Sequence, residues 1–298
     1  MNTNPTYETH RPLLTNLAYR MLGSKGDAED IVQDVFLEYY QRDQSHIEHE
    51  KAYLARMVTN RCLNLQSSAR KRRETYVGNW LPEPDVAYGA ALPSDPLELW
   101  ERNETITYAM LVMLEQLSGI ERAVFLLRET LSFDYDEIAG IVGKSEANCR
   151  KIISRAKQKL GAVPEIPTFR SERAAELAGA FIAAAETGNT EALLGILTED
   201  AVMISDGGGK VRAAIFPIIG RDRVAAFYEG LARKGIVSRG YIPALVNGQY
   251  GLLLFENGEP KRVVTFQWDA AGERIERIFQ IMNPDKLTSV TNSIADLS

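Results

Sequence analysis

The stretch "FDYDEIAGIVGKSEANCRKIISRAKQKL", residues 133–160, decides how the rest of the chain is read. Asp134 to Glu137, "DYDE", starts a short helix that runs through Val142, with Ile138, Ala139 and Val142 as its buried side. Gly143-Lys144-Ser145 then makes a tight turn. The following helix puts Cys149, Ile152, Ile153, Ala156 and Leu160 on one face and carries Arg150, Lys151, Arg155, Lys157 and Lys159, with no acidic residue among 150–159. This is the anatomy of a helix-turn-helix. Such a recognition helix inserts side chains from its N-terminal half into a major groove, while flanking cations hold phosphates. An ordinary helical hairpin with a solvated basic face fits the same string, so the context has to choose.

Upstream, "SGIE" (Ser118 to Glu121) is a capping box in front of the apolar run "RAVFLLRETL", so a helical unit is expected from about Leu97 to Leu160. Residues 8–73 also read as helices. In "DAEDIVQDVFLEYYQ" (27–41), Ile31, Val32, Val35, Phe36 and Tyr39 fall at helical spacing, and Asp30, Asp34 and Glu38 line the opposite face. "KAYLARMVTNRCLNLQSSARKRR" (51–73) carries Leu54, Met57, Val58, Cys62 and Leu65 as its apolar stripe. Its cations, Lys51, Arg56, Arg61 and Arg70 to Arg73, stand among no acids. Then comes "ETYVGNWLPEPDVAYG" (74–89), where glycines and prolines rule out a regular helix and an indole sits in a connector that continues to Pro93 and Pro96.

The whole chain has 298 residues, a net charge of −6, 45% apolar and 25% charged residues, which indicates a soluble globular protein of two or three domains. Two basic patches on an acidic chain fit a modular nucleic-acid binder better than a general polyanion binder. No apolar run is long enough to span a membrane, and "MNTNPTYETHRPLL" lacks the pattern of a signal peptide. Cys62 and Cys149 are the only cysteines, and they stand far apart inside helical patterns. A reducing, cytoplasmic setting is therefore expected, with no membrane partner. His10, His46 and His49 are the only histidines, which leaves no zinc or imidazole chemistry for the last two thirds of the chain. No metal or other cofactor is called for.

Past the linker "GAVPEIPT" (161–168) the pattern changes. Helices are expected at about 169–186, 190–198 and 222–234. Strands are expected in "AVMISD", "KVRAAIF", "SRGYIPALVN", "YGLLLFE", "KRVVTFQWD" and "ERIFQIMN", separated by the turns "GGG", "NGQ", "NGEP" and "AAGE". This predicts an α+β domain with a curved sheet wrapped around helices.

Residues 8–161 resemble the sigma-70 family in its extracytoplasmic-function (ECF) class, because two independent modules occur in the family's order. The expected organisation is sigma domain 2 at 1–75, a linker at 76–96, sigma domain 4 at 97–161, a second linker at 162–168 and an α+β domain at 169–298. The helix-helix-strand order of the last domain resembles the SnoaL-like cone-shaped barrel. The resemblance implies a promoter-recognition subunit that binds core RNA polymerase and promoter DNA, not an enzyme. Carried over by position, Asp30, Gln33 and Asp34 would contact polymerase. Lys51, Tyr53, Arg56, Asn60, Arg61, Asn64, Arg70, Lys71, Arg72 and Arg73 would serve the −10 element, with Tyr53 supporting an extruded base. Core packing would suit Tyr53 equally well. Ser145, Glu146, Asn148, Arg150, Lys151 and Arg155 would face the −35 groove. A helix-turn-helix regulator fused to a small-molecule-binding or cyclase-like domain is the competing reading. The acidic helix 28–40 argues against it, since a conventional regulator has no need of a polymerase-binding face.

Three strings match signatures of the sigma-factor group that carries a SnoaL-like extension: "WLPEP" (80–84), "DGGGK" (206–210) and "NPDKL" (283–287). The resemblance implies that the extension is a built-in regulator. The expectation is a regulatory contact formed by Trp80, Leu81, Pro82, Glu83 and Pro84 with Asp206, Gly207, Gly208, Gly209, Lys210, Asn283, Pro284, Asp285, Lys286 and Leu287. It would hold the two sigma domains in a compact arrangement. As an enzyme the last domain offers Asp200, Asp206 and Asp222 as possible acids, with no histidine to partner them. An unidentified small apolar ligand would have to sit among Phe181, Phe216, Phe227, Tyr228, Phe255, Phe266 and Trp268, most of which are expected to be core.

Overall fold

In the computed structural model the described residues are 5–89, 107–161, 171–236, 240–288 and 290. They form two compact units, each built from two separate pieces of chain. One takes Met1–Thr75 and Leu111–Val163, and the other takes Tyr76–Met110 and Pro164–Ser298. The connector therefore folds with the C-terminal part of the chain.

The first unit is helical. Helices α1 (Pro5–Leu22), α2 (Lys25–Gln41) and α3 (Glu50–Glu74) pack through Leu14, Leu17, Ile31, Val35, Phe36, Leu54, Val58 and Cys62, all buried. Helix α4 (Tyr108–Leu114), whose residues up to Met110 belong to the second unit, leads to α5 (Gly119–Phe125), which runs on as a π-turn over Leu126–Thr130. Ser118 and Glu121 close the expected capping box on α5. Helix α6 (Tyr135–Val142) has a second capping box, Asp134 with Glu137, and ends at left-handed Gly143 (φ +66°). Helix α7 (Glu146–Leu160) follows, capped by Ser145. The periodicity of α7 is as expected, but α6 buries Ile138 and Ile141, with Ala139 and Val142 only half-covered. The N- and C-terminal helical pieces pack on each other. Arg122 Nη1 donates to Met21 O at 2.6 Å, and Gly119 lies so close to Gln66 that a Cβ would sit 2.3 Å from its Oε1.

The second unit holds a seven-stranded mixed sheet in the order β1-β4-β5-β6-β7-β2-β3. Its strands are β1 (Val86–Tyr88), β2 (Leu197–Asp206), β3 (Ile218–Ile219), β4 (Gly240–Val246), β5 (Gln249–Glu256), β6 (Glu259–Trp268) and β7 (Ile275–Ile281). All pairs are antiparallel except β2 with β7. The two-residue Asn-Gly turns are as the sequence predicts, with Asn247 at φ +50° and Asn257 at φ +55°, the left-handed region such hairpins require. Register shifts at Leu254/Phe255 and Gln267/Trp268 bend the sheet. Its inner face meets α8 (Ser171–Thr187), α9 (Thr190–Ile196) and α10 (Arg221–Arg233) through Phe181, Tyr228, Leu252, Val264, Phe266 and Ile278.

One expected strand is absent. "KVRAAIF" (210–216) is a turn followed by bends, and only Ile218–Ile219 pairs with β2. The reason is local. Lys210 N and Val211 N both turn back to Gly207 O, at 3.0 and 3.1 Å, so they are not free for a ladder, and Pro217 has no N–H to give. Phe216 is accordingly 79% exposed and does not line the cone, contrary to its place among the expected cone aromatics.

Candidate functional site

Helix α2 presents Asp30, Gln33 and Asp34 on its exposed side because Ile31, Val32, Val35 and Phe36 fill the other. Asp34 is not free of the chain. Arg61 on α3 donates to it at 3.0 Å and to Glu38 at 2.6 Å, which holds the Glu38 carboxyl below the usual range. Arg42 also pairs with Glu38 and donates to the Tyr53 hydroxyl at 3.3 Å. Glu38, Arg42, Tyr53, Arg56, Asn60 and Arg61 thus line an open cleft of about 410 Å³. Glu38 and Arg42 join the expected residues there. Acidic spacing pointed to Glu38, whereas nothing in the pattern singled out Arg42. Lys51 lies outside this cleft, its ammonium 4.7 Å above the Phe133 ring in the loop before α6. Arg70 to Arg73 occupy the last turns of α3, and their side chains lie outside the described part.

On α7 the residues Glu146, Asn148, Arg150, Lys151 and Arg155 are all exposed, as the buried face of Cys149, Ile153, Ala156 and Leu160 dictates. Ser145 is also exposed, but its hydroxyl caps the helix by accepting from Asn148 N at 3.3 Å. Glu146 and Arg150 approach to 3.5 Å. The last turn is tied down: Lys157 pairs with Glu129 at 2.8 Å and Lys159 with Glu121 at 2.6 Å. The Lys159 hydrogen bond lowers the Glu121 pKa to about 2.

The third constellation lies wholly within the second unit. Strand β2 ends at Asp206, whose side chain is fully buried at the head of the glycine turn. Its Oδ1 accepts from Tyr76 OH at 2.5 Å and from Gly208 N at 3.0 Å. Its Oδ2 accepts from Leu81 N at 2.9 Å and Lys286 Nζ at 2.6 Å. Lys286 also donates to Leu81 O and lies 4.2 Å from the Trp80 ring and 5.1 Å from the Tyr76 ring. Burial and the Asp206 carboxylate push the Tyr76 phenol well above its ordinary pKa. The backbone carbonyl of Asp206 accepts from Met282 N and Asn283 N, at 2.8 and 2.9 Å. Asn283 Nδ2 then donates to Tyr76 OH at 2.8 Å.

The glycines are needed for this approach. A Cβ on Gly208 would lie 2.4 Å from Asn283 Nδ2, and one on Gly209 3.0 Å from the Val77 Cβ. Lys210 pairs with Asp285 at 2.7 Å on the exposed rim. Leu81 is 1% exposed, Pro82 and Pro84 are buried and Glu83 is half-buried, so Leu81 is the apolar anchor and Trp80 a half-buried cover for Lys286. Pro284 opens a short 3-10 turn, and Leu287 is buried behind it.

All three strings therefore meet at one carboxylate. Sequence reading missed several partners: Tyr76, Asn79 (to Ser205 O and Ala214 O, both 3.4 Å), Tyr108 and the Asp85–Asn247 pair. Tyr108 OH donates to Pro82 O at 2.7 Å, and its ring packs on Phe279 at 5.4 Å.

None of the three expected acids is available in the cone interior. Asp206 is committed to the joint, and Asp200 and Asp222 are exposed. Phe181 stacks edge-on to Tyr228 and Phe266, whose neighbour is Trp268. Among the described residues no helix is long and apolar enough to cross a membrane, and no group of three acidic, histidine or cysteine side chains is placed to hold a metal.

Two helical modules with these exposed faces, followed by an α+β domain, define the class. Residues 6–74 match the model of sigma-70 region 2, and residues 108–160 match that of sigma-70 region 4. The chain is 33% identical over 293 residues to the ECF RNA polymerase sigma factor SigJ of Mycobacterium tuberculosis, covering 95% of this chain and 92% of that protein. It belongs to the ECF RNA polymerase sigma factors, a family whose members are not enzymes. It is also 28% identical to the probable ECF sigma factor SigI of the same species, over 94% of this chain and 93% of that one. The crystal structure of M. tuberculosis SigJ aligns with a TM-score of 0.74 at 30% identity, covering 95% of this chain and 97% of that chain.

Proposed function

We propose that this sigma factor recruits core polymerase through Asp30, Gln33 and Asp34 and reads promoters with the faces of α3 and α7 described above. We propose further that the C-terminal domain restrains it by holding the connector. The −10 set is Lys51, Tyr53, Arg56, Asn60, Arg61, Asn64 and Arg70 to Arg73. The −35 set is Ser145, Glu146, Asn148, Arg150, Lys151 and Arg155. Both are supported by family position and, for the side chains described, by partial or full exposure.

The observation that carries the regulatory part is that the connector is pinned at both ends. Tyr76 is bonded to Asp206, and Tyr108 to Pro82 with its ring on Phe279. Promoter elements named −10 and −35 lie roughly 25 base pairs apart, about 85 Å of duplex at 3.4 Å per step. Lys51 of α3 rests 4.7 Å from the Phe133 ring, just before the helix-turn-helix, and on this reading that contact is given up when both elements are bound. Fully extended, the connector from Tyr76 to Tyr108 reaches about 110 Å, enough to bridge the elements. The part from Tyr76 to Tyr88, held by Asp206 and strand β4, is withdrawn from that reach. The joint and the open state are thus alternatives, and polymerase or another partner shifts the balance by binding the open one.

Reporter output from a cognate promoter tests this. Cutting the chain before Asn283 removes Lys286 and is expected to raise output, and Trp80→Ala is expected to act in the same direction. Removing everything after Pro167 is expected to give no further rise and to lower output, because Leu81 and Trp80 lose their docking surface. Equal output from all four proteins would sink the regulatory reading.

A further inference from the structure

We propose that Tyr135, which lies outside the −35 set, is the positioning residue that aims Arg150 at its base. This rests on the −35 reading above. The Arg150 guanidinium carbon lies 4.0 Å from the centre of the Tyr135 ring, within the range of a cation–π contact. Arg128 approaches the same ring to 4.8 Å. Two guanidinium groups on one ring repel, and Asp134 offsets this: Arg128 Nη1 donates to Asp134 Oδ1 at 3.1 Å and to Phe133 O at 2.8 Å. Arg128 is thereby fixed, and the ring has one mobile cation left to hold. The backbone that carries the ring is held, since Tyr135 is the first residue of α6, directly after the capping box.

Arg150 keeps an open side, with its side chain 59% exposed. Its other contact, to Glu146 at 3.5 Å between exposed groups, is too long and too solvated to orient it. An arginine that reads a guanine must present a planar fork in one orientation, and a free side chain loses rotamer entropy in doing so. Stacking on Tyr135 removes much of that loss before DNA arrives. The aromatic ring, not the hydroxyl, is the part that acts.

The test uses polymerase holoenzyme made with the full-length factor and a promoter pool varied at each −35 position. Tyr135→Phe is expected to stay within about twofold of wild type. Tyr135→Leu is expected to lose about three- to tenfold on the preferred sequence and to flatten preference at the one position that Arg150→Ala flattens. The double variant should be no worse than Arg150→Ala. A uniform loss at all positions, or additive losses in the double variant, would overturn the proposal while leaving the role of Arg150 intact. A flat response to Arg150→Ala would overturn both. A second readout is independent of DNA. In the free factor the Arg150 δ-protons should show an upfield ring-current shift that Tyr135→Phe keeps and Tyr135→Leu abolishes. Its absence from the wild-type protein would also refute the cradle.

Discussion

Asp206 and Asp34 are both carboxylates that accept from a cation, at 2.6 and 3.0 Å, yet Asp206 is sealed from water and Asp34 is 61% exposed. Removing a partner from the first leaves a buried charge uncompensated, which costs several kcal/mol. Losing the second is close to neutral, because water replaces the arginine. The joint around Asp206 is therefore a structural element whose groups depend on one another. The Asp34–Arg61–Glu38 cluster behaves as an exchangeable surface. A partner that supplies its own charges can replace these internal contacts at little cost, which suits the polymerase and DNA faces proposed above.

The sharpest attempt to break this contrast is Asp206→Ala. It removes the carboxylate that the buried Lys286 ammonium, 11% exposed, Tyr76 OH and Leu81 N all donate to. A loss of about 3–5 kcal/mol in urea unfolding of the second unit is expected. A loss below about 1 kcal/mol would mean that the joint is no more structural than the surface. Next comes Leu81→Ala, a buried truncation expected to cost about 2–4 kcal/mol and to make the connector sensitive to proteolysis.

Glu121 lies between the two extremes, 13% exposed and paired with Lys159, which is half-exposed. Its folded pKa of about 2 is below the ordinary glutamate value. Its stabilisation is therefore present above about pH 4.5 and fades as pH falls toward 2. Glu121→Gln keeps the helix cap and should cost under about 1 kcal/mol at neutral pH. The gap from wild type should close on acidification, and a gap that persists at the lowest pH would assign the effect to packing. The smallest stability effect belongs to Asp30→Lys with Asp34→Lys, expected to change unfolding free energy by less than about 1 kcal/mol. The same protein should fail to pull down core polymerase. Retained binding would remove the polymerase assignment.

Local chemistry made much of this legible. The capping box at Ser118, the left-handed Gly143 and the Asn-Gly hairpins are written in adjacent residues, so the helix-turn-helix and the meander of β4 to β6 can be read directly. The gathering of "WLPEP", "DGGGK" and "NPDKL" came from family resemblance, since no short-range pattern links Leu81 with Asp206 or Lys286. Alternation misled at "KVRAAIF", where apolar residues are spaced as in a strand but the backbone donors are spent on the Gly207 turn. Tyr76, Tyr108, Phe133 and Tyr135 were illegible for another reason. An aromatic ring in a connector or at a helix start says nothing about which distant cation or carbonyl it will meet.

Strand β1 carries a consequence of its own. It is contributed by the connector, and Val86, Ala87 and Tyr88 pair with Val246, Leu245 and Ala244 of β4, whose other neighbour is β5. Asp85 and Asn247 extend the pairing by one more exchange, with Asn247 N to Asp85 O at 2.7 Å and Asp85 N to Asn247 Oδ1 at 3.1 Å. A C-terminal domain produced without the connector would leave this row of N–H and C=O groups unmated, a ready template for a strand from another molecule. Such a fragment is expected to self-associate edge to edge, and a peptide covering residues 80–90 should return it to monomer. The connector thus serves the domain as its missing border, which makes the dependence between the two mutual.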